Sequence, residues 1–157
     1  MGNLQLPQGG LLVNAWKPQV NTGALVGDWV SMKTAHKVWV VFHVDQGSAT
    51  QPVFRMYEAT NVDGDDAAVI TATFPIWYNL DCDTDIFTQA TDAANYTLDV
   101  ALKTKLVVFQ YNASLLSPGF DCVKAYADAS AALNIVGCTY ILDNRYKRAT
   151  PPSVIID

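Results

Sequence analysis

HKVWVVFHVDQ, residues 36–46, decides the fold class. Val38, Val40, Phe42 and Val44 recur at every second position, so an extended chain puts them on one face. Trp39, Val41 and His43 alternate with them on the other face. Two apolar faces on one strand predict a central place in a two-layer structure. Working outward, Gly47-Ser48-Ala49-Thr50 reads as a turn. PVFRMYEAT, residues 52–60, reads as a second strand with Pro52 at its start, where a missing N–H does no harm.

The same reasoning extends along the chain. NVDGDD at 61–66 contains Asp63-Gly64, a strong hairpin signal. Further strands are expected over 67–73, 75–80, 95–101, 104–112, 120–127 and 133–142, with Ser117-Pro118-Gly119 as a turn. AYADASAAL at 125–133 is alanine-rich and has a helical alternative. The preferred reading is a hairpin turn near Asp128–Ala131, which would set Cys122 opposite Cys138. About eight short antiparallel strands with turn signals between them predict an all-β sandwich or jelly roll.

Composition agrees. Of 15 acidic residues only Glu58 is Glu, and Asp favours turns and caps where Glu favours helix interiors. A chain of 157 residues suits one domain and can build a core without staples. Charged residues make up only 16%, against ~25% in ordinary globular proteins. A large core explains that, and so does extensive contact with other subunits. The net charge of −5 opposes nucleic acid, whose phosphates require clustered Lys and Arg. The basic cluster Arg145, Lys147 and Arg148 is either solvated or a salt-sensitive contact for an acidic surface. Cys82, Cys122 and Cys138 lack C-x-x-C spacing, which fits thiols in a reducing cytosol. With no leader pattern and no apolar run near ~18 residues, no membrane partner is expected.

NLDCDTD, residues 79–85, is the first candidate for chemistry. Asp81, Asp83 and Asp85 resemble the opening of a calcium loop, and Asp92 falls at its twelfth position. Ile86, however, stands where the loop needs Gly, and Asp92 is shorter than the usual bidentate Glu. The three carboxylates therefore read as a solvated edge or loop, with a weak calcium site as the alternative. Asp63, Asp65 and Asp66 fall on a hairpin tip, and His36 and His43 read as structural. No nucleophile elbow, dinucleotide fingerprint or P-loop occurs. Neither enzymatic activity nor a cofactor is expected. Trp39 and Trp77 lie inside strands and are expected in the core. Trp16 and Trp29, beside Lys17-Pro18 and Gly27-Asp28, are the surface candidates, as interface anchors or as a sugar platform.

Three stretches carry a resemblance: LPQGGLLVNAWKPQVNTGALVGDWVSMK at 6–33, GFDCVKAYADAS at 119–130 and YILDNRY at 140–146. They are similar to small auxiliary virion proteins of tailed bacteriophages, of the kind that decorate or cement the capsid. The resemblance implies a β-sandwich or jelly-roll domain made in the bacterial host cytoplasm and carried on the virion. Its partners would be the major capsid protein and itself, as dimer or trimer, and it would have no active site. The expected organisation is a single β domain with an N-terminal arm at 1–17, a core at 18–149 and a C-terminal arm at 150–157. The expected partner interface comprises Leu4, Leu6, Leu11, Trp16, Trp29, Arg145, Tyr146, Arg148, Val154, Ile155 and Ile156. A tail, head–tail joining or baseplate component is one alternative. A carbohydrate- or calcium-binding jelly-roll module is another.

Overall fold

The computed structural model describes residues 10–146. Twelve strands and one 3-10 turn, Ala113–Leu115, account for its regular structure. The strands are Gly10–Val20 (β1), Leu25–Val26 (β2), Val30–Ser31 (β3), Ala35–Gln46 (β4), Val53–Ala59 (β5) and Ala68–Val69 (β6). After them come Ile76–Asn79 (β7), Thr88–Gln89 (β8), Asn95–Thr97 (β9), Thr104–Asn112 (β10), Cys122–Ala127 (β11) and Asn134–Asn144 (β12). They form a β-sandwich of two six-stranded antiparallel sheets. The larger sheet runs β1-β12-β4-β10-β7-β8. In the smaller, β2 and β3 pair with β11, β11 pairs with β5, and β5 carries β6 and β9 on its other edge.

The opening segment is β4, and it is central, with β12 on one side and β10 on the other. Its even-numbered residues face the second sheet, and Val38, Val40 and Phe42 are fully buried. Register brings Cys138, Phe42 and Val107 into one inward row, and Tyr140, Val40 and Phe109 into the next. Phe42 closes the sandwich by stacking on Phe54 of β5 at 4.3 Å between ring centroids. Phe109 meets Phe42 edge-on at 5.1 Å, and Phe74 continues the chain of rings to Tyr111. Tyr140 ties the sheets through its hydroxyl, which accepts from the Ala125 amide at 2.7 Å and donates to the Asp28 carbonyl at 3.1 Å. Gly27 makes room for it, since a Cβ there would fall 2.2 Å from that oxygen.

Several expectations hold, and others need correction. The Asp63-Gly64 turn does join β5 to β6, with Gly64 at a φ of 84° that favours glycine. The expected strands at 67–73 and 95–101 shrink to Ala68–Val69 and Asn95–Thr97. The hairpin expected near Asp128–Ala131 does not form. β11 and β12 belong to different sheets, so Cys122 lies opposite Ala59 and Ser31, while Cys138 lies opposite Phe42 and Trp16. The link between them is a crossover held by Asn21, whose amide donates to the Asp128 carbonyl and the Ser130 hydroxyl, both at 3.0 Å. The helical alternative is not seen there either. Residues 10–17, read as part of an arm, are hydrogen-bonded into β1 against β12.

Candidate functional site

The two sheets treat their outer faces differently. On the smaller sheet, cations and rings cover one another. The Lys124 ammonium stands 4.4 Å from the centre of the Trp29 ring and 5.5 Å from that of Tyr57, and Arg55 lies over Tyr126. Arg55 also pairs with Asp128. Partial desolvation lowers the Lys124 amine from its ordinary value. Trp29 is further enclosed by the 61–66 turn, because a Cβ on Gly64 would come 2.3 Å from its Nε1. The expected anchor Trp29 is thus half-buried and already occupied.

Among the described residues, the outer face of the larger sheet has such a contact only at its Lys37 end and is otherwise open. Its middle row is Thr139, Val41, Val108 and Trp77, on β12, β4, β10 and β7. One row toward the chain termini lie Leu12, Ile141, Trp39 and Gln110. One row the other way lie Gly137, His43 and Leu106. Leu12 is 50% exposed, Ile135 39% and Trp77 36%, while Trp39, Val41, Val108 and Ile141 are half-buried by one another. Charges mark the two ends, Lys37 beside Asp143 at one and Asp45 at the other. The Lys37 ammonium rests 4.6 Å from the Trp39 ring centre.

Gly137 opens a shallow depression of about 200 Å³ in this face, lined by Asn14, Trp16, Pro18, Val41, His43 and Ile141 among others. A Cβ at Gly137 would meet Pro18 Cγ at 3.0 Å, so glycine lets β1 approach β12 closely here. Cys138 adjoins the depression, but burial pushes its thiol well above the ordinary value and keeps it protonated. The chemistry on offer is burial of apolar surface, with an amide, an imidazole and a hydroxyl at hand to orient a partner.

The other candidates fall elsewhere. Trp16 was expected at the surface, yet it is only 6% exposed, packs near Phe42 and donates from Nε1 to the Val136 carbonyl at 3.2 Å. Trp39 and Trp77 were expected in the core and instead lie on the open face. The errors at Trp39 and Trp77 share a cause, since strand alternation assigns a face but not which face meets the second sheet; Trp16 was misplaced because residues 10–17 were read as an arm and not as β1. Leu11 is partly buried against the core. Arg145 is exposed with its Nε donating to the Ala35 carbonyl at 3.2 Å, and Tyr146 is 69% exposed. Leu4, Leu6, Arg148, Val154, Ile155 and Ile156 lie outside the described residues.

Asp81, Asp83 and Asp85 form an exposed turn rather than a straight edge. The Asn79 side chain accepts from the Asp81 amide at 2.9 Å, and the Asp81 carbonyl accepts from the Thr84 hydroxyl at 2.8 Å. Asp81 pairs with Lys103, whose hydrogen bond holds its carboxyl below the usual range. Partial burial, then the neighbouring carboxylates, raise the Cys82 thiol. Among the described residues, no three His, Cys, Asp or Glu side chains converge as metal ligands. No helix among them is long and apolar enough to cross a membrane.

No protein-family model matches the chain, and neither does any curated protein sequence. Among solved structures, it is similar to the SPBc2 prophage-derived protein YomS, at 9% identity and a TM-score of 0.49, over 85% of this chain and 91% of that one. It is also similar to a putative sugar binding protein from Bacteroides thetaiotaomicron VPI-5482, at 9% identity and a TM-score of 0.32, over 90% of this chain and 86% of that one. At such identity a shared outline says nothing of what either chain binds.

Proposed function

We propose that this protein is a structural component of a tailed-phage particle, a decoration protein that binds the outer capsid surface and ties neighbouring capsid subunits together. The observation that supports this reading is the open apolar face of the larger sheet, with Trp39 and Trp77 on it. A contiguous apolar face of several hundred Å² marks an interaction surface in a soluble protein. Exposed aromatic residues supply the anchors that dominate binding energy at interfaces. A charge content of 16% fits a chain that spends its working life against other subunits. The virion part of the reading rests on the resemblance carried by residues 6–33, 119–130 and 140–146.

The mechanism is additive burial. Bridging contacts that remove apolar area from water contribute roughly 25 cal/mol per Å² before association costs. Repetition over a symmetric shell turns modest single contacts into a large total through multivalency. The test is the copy number of this chain in purified particles, by quantitative staining against the most abundant band. Hundreds of copies in a simple ratio to that band are expected. Absence from particles would overturn the reading, and a vertex- or tail-like count would move the chain to another virion station.

A further inference from the structure

The open face is complementary to itself. We propose that a second copy of this chain covers it, the two larger sheets packing face to face about a two-fold axis that crosses the strands at the level of Val41. This deepens the reading above: the open face joins two copies, and the dimer as a unit is what bridges capsid subunits.

Val41 stands midway between Lys37 and Asp45 along β4, all three on the outer side. A two-fold axis at that level lays β4 on its partner antiparallel, so that each Lys37 faces the other copy's Asp45. On β12 the same operation sets Gly137 against the other copy's Ile141, because Gly137 shares a row with His43 and Ile141 with Trp39. The depression over Gly137 thereby receives a side chain of the size it can hold, twice per dimer. The middle row meets itself: Val41 on Val41 and Trp77 on Trp77. An isologous interface demands this reciprocity.

Area supports the same occupant. Four strands, β1, β12, β4 and β10, at ~4.8 Å spacing over about nine residues of ~3.3 Å, with the four residues of β7 beside them, span roughly 600 Å². That approaches the ~800 Å² per partner of a standard stable interface. Aligned sheets pack within about 30° and bury interdigitating side chains. Gly10 and Tyr146 lie toward the Lys37 end of the sheet, since Gly10 pairs with Asp143. The two copies would thus place their Gly10 and Tyr146 at opposite ends of the dimer.

Sedimentation velocity on the full chain, over a concentration series, tests the proposal. The expected result is a dimer at micromolar concentration. Val41→Glu, which places two carboxylates at the axis, should weaken it roughly a hundredfold or more, since facing like charges cost several kcal/mol. Asp45→Lys should weaken it by about tenfold, and Lys37→Asp together with Asp45→Lys should restore it. Circular dichroism melts of each variant confirm folding, and the charge swap answers the question even if Val41→Glu does not fold. A monomer at every concentration would overturn the proposal, as would a trimer or a dimer indifferent to these changes. A monomer that dimerises only when residues 147–157 are removed would also overturn it, and would assign the face to the chain's own tail. The outcome is separable from the virion reading. A monomer abundant in particles sinks only the dimer, and a dimer absent from particles sinks only the decoration role.

Discussion

Replacing Phe42 with Ala should lower the unfolding free energy by about 3–5 kcal/mol, the usual cost of deleting a buried aromatic ring. Phe42 is fully buried, and its ring meets Phe54 across the sandwich, Phe109 on the next strand and Trp16 from the edge strand. The cavity would open between the sheets, where three large rings hold its walls apart and limit collapse. The neighbouring Val41→Ala is the natural control, because its side chain points to the open face. It should cost under ~1 kcal/mol in the dissociated chain, as half-exposed substitutions do. Urea titration of both variants checks the contrast. A loss below ~1 kcal/mol for Phe42→Ala would mean that the sheets do not close on this stack.

The second large effect is expected at Lys105, whose side chain is wholly buried in β10. Its ammonium donates to Gln46 Oε1 at 2.7 Å and pairs with Asp99. Gln46 in turn donates to the Asp99 carbonyl at 2.9 Å, so three residues brace one end of the sandwich. Removing one partner of a buried pair costs about 3–5 kcal/mol, because the remaining charge stays desolvated. Asp99 is 43% exposed, so water can reach part of the site, and Asp99→Ala should cost about 2 kcal/mol instead. Adding Lys105→Met to Asp99→Ala removes the unpaired buried cation, so the double variant should recover most of that loss. Denaturant midpoints of the two single variants and the double decide the matter. A double variant no more stable than Asp99→Ala would show that the charge was never the problem.

Much of this fold was legible from side-chain alternation. The segment 36–46 announced a central strand, and 52–60, 104–112 and 133–142 fell into place around it because their periodicity is strong. The Asp63-Gly64 turn was readable because only a few residues accept a positive φ. What could not be read was which strands share a sheet. Cys122 and Cys138 sit symmetrically about residue 130, yet the intervening segment crosses from one sheet to the other. The crossing segment is held by Asn21, more than a hundred residues away in sequence. The site was obscured for a related reason. Val38 and Trp39 are equally apolar, and alternation separates them without saying which one meets the second layer. The tryptophans most informative about function were therefore first assigned to the core. A signal was present: Val41, His43 and Asp45 carry the smaller, more polar side of β4, and such a side is less suited to a closed interior than Val40, Phe42 and Val44.

The claim at the centre of this account is that the open face of the larger sheet is covered when the protein is in its assembled form. Hydroxyl-radical footprinting of Trp39 and Trp77 measures that directly, comparing the dilute chain with the chain in purified particles. Both tryptophans should become several-fold less reactive in particles, while Trp29, already shielded by Lys124 and the 61–66 turn, should change little. Equal reactivity of Trp39 and Trp77 in the two states would contradict the account, because the face would then remain bare where it is meant to work.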